Sequence, residues 1–235
     1  MGNMFCFQCE QTAGGKGCTG AAGVCGKKAD TAVLLDELTG TLVTLARAVK
    51  PGHNTPASDR TIIAGLFTAI TNVAFDSAVV AERIAETKKV LADFSPGCSG
   101  CTGCCSADSF DLREVWADDE DIRSLKTLIL LGLRGMAAYA YHALALGYSD
   151  AEVNAFFYEG LRAVGGDLTA DELLPLVLKT GEVNLKCMET LDKANTETYG
   201  TPEPVTVPLT VEKGPFIVVT GHDLLDLHKL LEQTK

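Results

Sequence analysis

The sequence predicts a mainly α-helical protein, in which two helical bundles form an N-terminal domain and the first strand–helix unit of a truncated α/β (Rossmann-like) domain follows. Three observations support this fold class. Apolar residues recur at helical spacing through most of 30–194, a stretch with several prolines then breaks the pattern, and a short β-branched run precedes a final amphipathic segment. We therefore predict a cysteine segment at 1–29, a helical bundle domain at 30–205 and the start of an α/β domain at 206–235.

The first predicted bundle contains three antiparallel helices. Residues 30–50 carry leucines at helical spacing, and Pro51 and Gly52 end the run. We expect Ser58 to cap the second helix and Asp76 to cap the third, because both side chains accept hydrogen bonds from backbone N–H groups at a helix start. Short loops between apolar-striped helices are typical of a bundle.

The second predicted bundle contains four helices, at 120–146, at 149 to about 164, at 169–181 and at 182–194. Their boundaries are indicated by the acidic stretch 117–122, by Gly147, by the capping boxes Ser149 with Glu152 and Thr169 with Glu172, and by Gly181. Pro175 lies inside the third of these helices, and we expect it to kink that helix or to delay its start.

A different pattern follows the helices. The run FIVVTG at 216–221 is β-branched and apolar, as in buried parallel strands, and the amphipathic segment 222–235 comes directly after it. A strand, a tight glycine turn and a helix make up the first half of a βαβ unit. We therefore predict the beginning of an α/β domain here.

Composition and charge exclude several classes of partner. Lys and Arg total 20 and Asp and Glu total 31, a formal net charge of −11, so we expect neither nucleic acid nor membrane as a partner. The apolar stretch 127–147 contains Arg134 and His142, and we interpret it as a buried helix. We expect no secretory signal. Nine cysteines in such a chain then favour metal binding or reactive thiols in the cytoplasm over a disulfide framework.

The strongest motif is the first group of cysteines. Cys6, Cys9, Cys18 and Cys25 have the spacing C-x2-C-x8-C-x6-C, with several glycines between them. Zinc, an iron–sulfur cluster and inert thiols are the three alternatives. Zinc sites usually combine two C-x2-C pairs, whereas only one is present here, and a cluster is wider than one ion and suits spread ligands. The spacing therefore favours an iron–sulfur cluster over zinc, and both over inert thiols.

A second group of cysteines follows the first predicted bundle. Cys98, Cys101 and Cys104 have C-x2-C-x2-C spacing of the ferredoxin type, which requires a further ligand, and Cys105 is adjacent to Cys104. We treat these four residues as a candidate second metal site, with incidental thiols of a loop as the alternative. Cys187 stands alone among apolar residues, and we predict that it is a small core residue.

Several segments together carry a resemblance to a known family. MFCFQCEQT, GC and GVCGK in the cysteine segment are followed, in order, by LFTAITNVAFD, EDIRSLKTLILLGLRGMAAYAYHA, LDKANTETYGTPE and GPFIVVTGHDLLDL. These segments resemble the N-terminal portion of the hybrid cluster proteins, also called prismane proteins or hydroxylamine reductases. The resemblance covers nearly the whole chain.

The resemblance implies a set of cofactors. In this family a helical first domain carries a cubane-type cluster on cysteines that correspond to Cys6, Cys9, Cys18 and Cys25. The x8 interval resembles the branch with [4Fe–4S] rather than [2Fe–2S]. A hybrid iron–sulfur–oxo cluster, at which hydroxylamine or nitric oxide is reduced, lies in later α/β domains, and His222 of the GHDL motif resembles one of its ligands.

The resemblance also sets limits and leaves alternatives. The family's other hybrid-cluster ligands have no counterpart before residue 235, so we expect this polypeptide to need further domains to complete that cluster. The implied function is an iron–sulfur oxidoreductase that reduces hydroxylamine to ammonia, or nitric oxide, with the N-terminal cluster as relay from an electron-donor redox protein. The alternatives are an electron-transfer module without its own catalytic site and a zinc-stabilised helical interaction protein.

Overall fold

The computed structural model describes residues 4–9, 13–70, 74–94, 110–221 and 223–235. The described chain is mainly helical, as predicted. It divides into two compact units, Met1–Thr201 and Pro202–Lys235. The helices in chain order are α1 (Ala29–Ala48), α2 (Pro56–Thr68), α3 (Ser77–Phe94), α4 (Arg113–Ala117), α5 (Glu120–Ala145), α6 (Ala151–Gly165), α7 (Ala170–Tyr199) and α8 (Leu224–Gln233), and a short 3-10 turn lies at Ala13–Gly15.

Two of the predicted helix caps are confirmed. The Asp76 carboxylate accepts a hydrogen bond of 2.8 Å from the backbone N–H of Ala78 at the start of α3. At the start of α7, Thr169 and Glu172 form the predicted capping box, in which each side chain accepts a hydrogen bond from the other residue's backbone N–H. These caps provide acceptors for N–H groups that have no partner within the helix.

Two other predicted caps are wrong by a few residues. The cap of α2 is Thr55, and Ser58 is the third helical residue that completes its capping box. Pro56 occupies the first helical position, where its fixed φ angle favours a helix start. The cap of α6 is Asp150 rather than Ser149, and its carboxylate accepts hydrogen bonds from the backbone N–H groups two and three residues further on. The carboxylate also suits the positive end of the helix dipole.

The predicted helix break at Gly181 is also wrong. α7 is one helix of 30 residues that passes through Gly181, and Pro175 lies inside it without delaying its start. Leu173, Val183 and Cys187 are buried on both sides of the glycine. A helical glycine costs only about 1 kcal/mol relative to alanine, and packing of the continuous apolar face against α5 outweighs that cost.

The two predicted groups of helices are present, but they share one core. α1, α2 and α3 pack together, as do α5, α6 and α7, and α2 also packs on α5 and α1 on α6. A single hydrophobic cluster runs through helices of both groups. The short α4, which no sequence pattern predicted, contributes Val115 to the same cluster.

α5 forms the centre of this core. It is long and apolar enough to cross a bilayer by length and composition, a weak criterion because core helices also meet it. Its inner face, which includes Ile129, Leu133 and Met136, is buried in the hydrophobic cluster. Arg134 is buried there too, with 2% of its surface exposed. The prediction of a buried helix is therefore confirmed.

The unit Pro202–Lys235 contains α8, which Asp223 caps through a hydrogen bond of 3.1 Å from the backbone N–H of Asp226. The predicted strand at 216–221 is not formed within the described part of this unit. A strand exists only as part of a hydrogen-bonded ladder, and these described residues contain no second strand to pair with it. The apolar side chains of the segment are exposed.

Candidate metal centre

The first contact of the cysteine segment joins the first and third cysteines of the motif. The backbone N–H of Cys6 donates to the carbonyl of Cys18 at 3.1 Å, and the N–H of Cys18 donates to the carbonyl of Cys6 at 2.7 Å. This pairing is an isolated antiparallel bridge. It places the C-x2-C pair beside Cys18, the third cysteine of the motif.

A tight turn presents the fourth cysteine. Ala22 and Lys28 form a second isolated bridge, and the N–H of Gly23 donates to the carbonyl of Lys27 at 2.9 Å. Cys25 lies at the tip of this turn. The side chain of Lys27 is almost fully buried, with its ammonium over the ring of Phe75.

Gly23 lies close to both parts of the segment. Met4 and Cys18 belong to one small buried cluster, and Cys6 packs against it. A Cβ atom built on Gly23 would lie 3.2 Å from Met4 Cε and 3.4 Å from Cys25 Sγ. Glycine at this position therefore leaves room beside the Met4 methyl group and beside the Cys25 thiol.

The four thiols of the motif differ in exposure. Cys18 is buried, and Cys6, Cys9 and Cys25 are half-buried. Among the residues that the structure describes, no three His, Cys, Asp or Glu side chains stand close enough together to bind one metal ion. Thiolate sulfurs are the ligands that both zinc and iron–sulfur clusters accept in proteins, and Gly23 leaves room beside the Cys25 thiol.

Gln8, between the first two cysteines, makes three contacts that the sequence analysis missed. Its backbone N–H donates to the Cys6 thiol, and its side-chain amide donates to the carboxylate of Asp36. Its carbonyl accepts from Arg134 Nη1 at 3.4 Å. Burial raises the pKa of the Cys6 thiol, while the Gln8 N–H and the charge of Lys27 act in the opposite direction. The only sequence signal for this network was a lone arginine in an apolar helix.

An aromatic cluster holds the C-x2-C pair against the helices. Phe5 and Phe7, on either side of Cys6, contact the ring of Trp116 with centroid distances of 5.4 and 4.8 Å. The guanidinium of Arg123 lies over the indole ring of Trp116, 4.8 Å from its centroid. Trp116 lies in α4, just before the second helical group, so these contacts fix the loop on the core.

The remaining predicted site residues divide into two classes. The candidate hybrid-cluster ligand His222 and the candidate second site of Cys98, Cys101, Cys104 and Cys105 lie outside the described residues, and their roles stay predictions. Cys187 is buried in the core, with its thiol 3.4 Å from the carbonyl of Met136, which confirms that it is a packing residue. Burial raises the pKa of this thiol to about 11.

Known proteins resemble this chain over its length. The sequence profile of the Prismane/CO dehydrogenase family matches residues 4–235. The hydroxylamine reductase of Methanocella arvoryzae is 41% identical to this chain in an alignment 261 residues long. The alignment covers 99% of this chain and 47% of that protein. The hydroxylamine reductases of Acetivibrio thermocellus and Porphyromonas gingivalis strain W83 are 41% and 42% identical, and each match covers 99% of this chain and 46% of the relative.

The chain thus spans about half the length of the curated relatives that it matches. Proteins of the prismane family carry iron–sulfur clusters, and the cysteine loop described above lies within the matched residues. The match over nearly the whole sequence shows that the chain belongs to the Prismane/CO dehydrogenase family.

Proposed function

We propose that the chain is part of an iron–sulfur oxidoreductase resembling hydroxylamine reductase, and that Cys6, Cys9, Cys18 and Cys25 hold a [4Fe–4S] cluster. The observation that supports this most directly is the backbone pairing of Cys6 with Cys18, together with the glycine turn that carries Cys25. The similarity to three proteins named hydroxylamine reductase supports the reaction class.

The residues of this chain have three tasks in such a protein. The four thiolates bind the cluster, which when bound supplies one-electron transfer. Phe5, Phe7 and Trp116 cover one side of the C-x2-C pair and keep water from it. The helical core holds the loop at a fixed position, so that an electron-donor protein meets the same surface at every encounter.

The overall reaction that we propose is the reduction of hydroxylamine to ammonia and water, which consumes two electrons and two protons. Nitric oxide is the second candidate substrate. We place the donor, a redox protein, upstream of the cysteine loop, and we propose His222 as one ligand of a hybrid cluster that further domains would complete. We also propose a cytoplasmic location for the protein.

Metal analysis tests the cluster. The chain is purified without oxygen, and iron, acid-labile sulfide and zinc are measured in it and in variants with Ser at each of the four cysteines. We expect iron and sulfide in the amounts of one [4Fe–4S] cluster, and their loss in the variants. Cys187→Ala, which removes a buried thiol away from the loop, should retain them. Stoichiometric zinc without sulfide would instead favour the zinc-stabilised alternative, and half the iron and sulfide would favour [2Fe–2S].

Turnover tests the reaction. Reduced methyl viologen is mixed with the anaerobic protein, and its oxidation is followed with and without hydroxylamine. Hydroxylamine-dependent oxidation that the His222→Ala variant loses supports the reductase proposal. An intact cluster with no turnover leaves electron transfer as the task of this polypeptide by itself.

The second group of cysteines is tested in the same preparations. If Cys98, Cys101, Cys104 and Cys105 bind metal, replacing Cys98 and Cys101 by Ser should lower the metal content per chain while the iron of the first loop remains. An unchanged metal content would show that these thiols are incidental.

A further inference from the structure

Arg134 is a buried cation beneath the first two cysteines of the loop. It lies in the middle of α5 with 2% of its surface exposed. Its electrostatic partners are Asp36, Cys6 and Cys9. Burying a guanidinium costs free energy unless nearby negative charge compensates it. The groups around Arg134 therefore indicate which negative groups its charge stabilises.

Arg134 donates one hydrogen bond to the segment that joins those cysteines and another to α1. Nη1 donates to the carbonyl of Gln8 at 3.4 Å, and Nη2 donates to the hydroxyl of Thr39 on α1 at 3.0 Å. Nε is buried and has no hydrogen-bond partner among the described residues. Gln8 also donates its backbone N–H to Cys6 Sγ, so one residue connects the guanidinium to the thiol.

The charge of Arg134 is only partly compensated by protein groups. No carboxylate in the described residues forms a salt bridge with it, and Asp36, the acidic group with which it interacts electrostatically, is hydrogen-bonded to the Gln8 amide. Burial lowers the pKa of the guanidinium to about 10, which leaves it charged at neutral pH. The thiolates of Cys6 and Cys9 are the other negative groups that would compensate it.

We propose that Arg134 is a positioning residue whose buried positive charge orients the C-x2-C segment and raises the reduction potential of the cluster on the loop. This inference rests on the proposed cluster. Each electron added to a thiolate-bound cluster increases its negative charge, so a nearby buried cation stabilises the reduced state more than the oxidised state. Asp36, a half-buried acidic group in the same network, has the opposite effect.

The experiment is an anaerobic redox titration of the cluster, with the reduced fraction followed by electron paramagnetic resonance. Arg134→Met should lower the midpoint potential, and Asp36→Asn, which keeps the size and the hydrogen-bond acceptor, should raise it. We expect the ratio of reduced to oxidised cluster at a fixed potential to fall about tenfold in Arg134→Met, which is about 59 mV for one electron. Arg134→Lys, which retains the charge, should stay close to the unmodified protein.

A surface variant provides the control. Lys179→Met removes the same charge from a side chain that is 42% exposed and paired with Glu159, and its potential should not change. A potential that is equal in Arg134→Met and Lys179→Met would overturn the proposal. Iron loss in Arg134→Met that Arg134→Lys restores supports it, because lysine supplies the positive charge and an N–H donor that methionine lacks. Iron loss in both variants would overturn it.

A second measurement does not depend on the cluster. In the metal-free protein, amide hydrogen exchange at Cys6 and Gln8 should accelerate several-fold in Arg134→Met, because the guanidinium no longer holds the carbonyl of Gln8. The control Lys179→Met should leave this exchange unchanged. Unmodified protein that contains no iron would contradict the proposed cluster, whereas equal exchange in Arg134→Met and the unmodified protein would contradict the role of Arg134.

Discussion

Gly17 shows how closely single residues determine the shape of the cysteine loop. It precedes Cys18 with a φ angle of +96°, and a Cβ atom built on it would lie 2.7 Å from Phe5 Cε2. An alanine at this position would therefore meet two costs, a left-handed backbone that L-residues disfavour and a clash with a ring of the aromatic cluster. The loop thus depends on glycine for a packing reason as well as a conformational one.

We predict that Gly17→Ala lowers the free energy of unfolding by about 2 kcal/mol and reduces the iron content. Gly26→Ala is the matched control, because Gly26 has a φ of +85° but nothing within 4 Å of the added methyl group. It should lose only about 1 kcal/mol, the backbone part of the cost. Urea unfolding and iron analysis of both variants check this. Equal losses would show that the contact with Phe5 is unimportant.

At this scale the sequence identified the thiols but not their surroundings. Cys6, Cys9, Cys18 and Cys25 could be grouped because they are close along the chain, and the spacing of such residues is readable without a structure. Gln8 and Arg134 are 126 residues apart, and the bond between them depends on how α5 packs under the loop. A lone arginine in an apolar helix indicated burial, but it could not indicate which group it would face.

At the scale of helices, a glycine allows α6 to approach α5 closely. A Cβ atom on Gly160 of α6 would lie 2.9 Å from Leu133 of α5, whereas one on Gly135, on the exposed side of α5, would meet nothing within 4 Å. Alanine favours a helix over glycine by about 1 kcal/mol wherever the methyl group has room. Alanine substitution at Gly135 therefore tests the helix preference alone, and substitution at Gly160 tests the same preference together with the packing against Leu133.

We predict opposite effects for the two substitutions. Gly135→Ala should raise the free energy of unfolding by about 1 kcal/mol, since only the helix preference changes. Gly160→Ala should lower it by roughly 1 kcal/mol, because overpacking against Leu133 exceeds the same gain. Chemical denaturation of both variants gives the answer, and stabilisation by Gly160→Ala would mean that Leu133 moves away freely.

Helix existence was easier to predict from sequence than helix boundaries. Local signals identified the caps Asp76 and Thr169, because a cap bonds to residues two or three positions away. The break predicted at Gly181 was wrong, since packing of α7 on α5 outweighs a local preference worth about 1 kcal/mol. The strand predicted at 216–221 depended on a partner strand, and no pattern within the segment could supply one.

At the scale of the compact unit Met1–Thr201, polar contacts join the two helical groups. The hydroxyl of Tyr158 on α6 is buried 2.7 Å from Ser58 Oγ and 2.8 Å from Asp59 Oδ1 on α2, and Asn154 donates to Asp59 Oδ2 at 3.0 Å. Burial raises the pKa of Tyr158 well above its usual range, so the phenol stays protonated and keeps its donor. Because the apolar core is also shared, we expect both groups to unfold together.

We predict that Tyr158→Phe lowers the free energy of unfolding by about 1–2 kcal/mol, because it removes the hydrogen bonds from the Tyr158 hydroxyl to Ser58 Oγ and Asp59 Oδ1 that join α6 to α2. The loss should appear in a single calorimetric transition for this unit, and hydrogen exchange should accelerate alike in α1–α3 and in α5–α7. Tyr148→Phe, which removes an exposed hydroxyl bonded to Glu197, is the control and should change little. Two resolved transitions, with only one shifted by Tyr158→Phe, would mean that the helical groups are independent bundles after all. A single shifted transition would instead mean that the helices from α1 to α7, on which the cysteine loop packs, unfold as one cooperative unit.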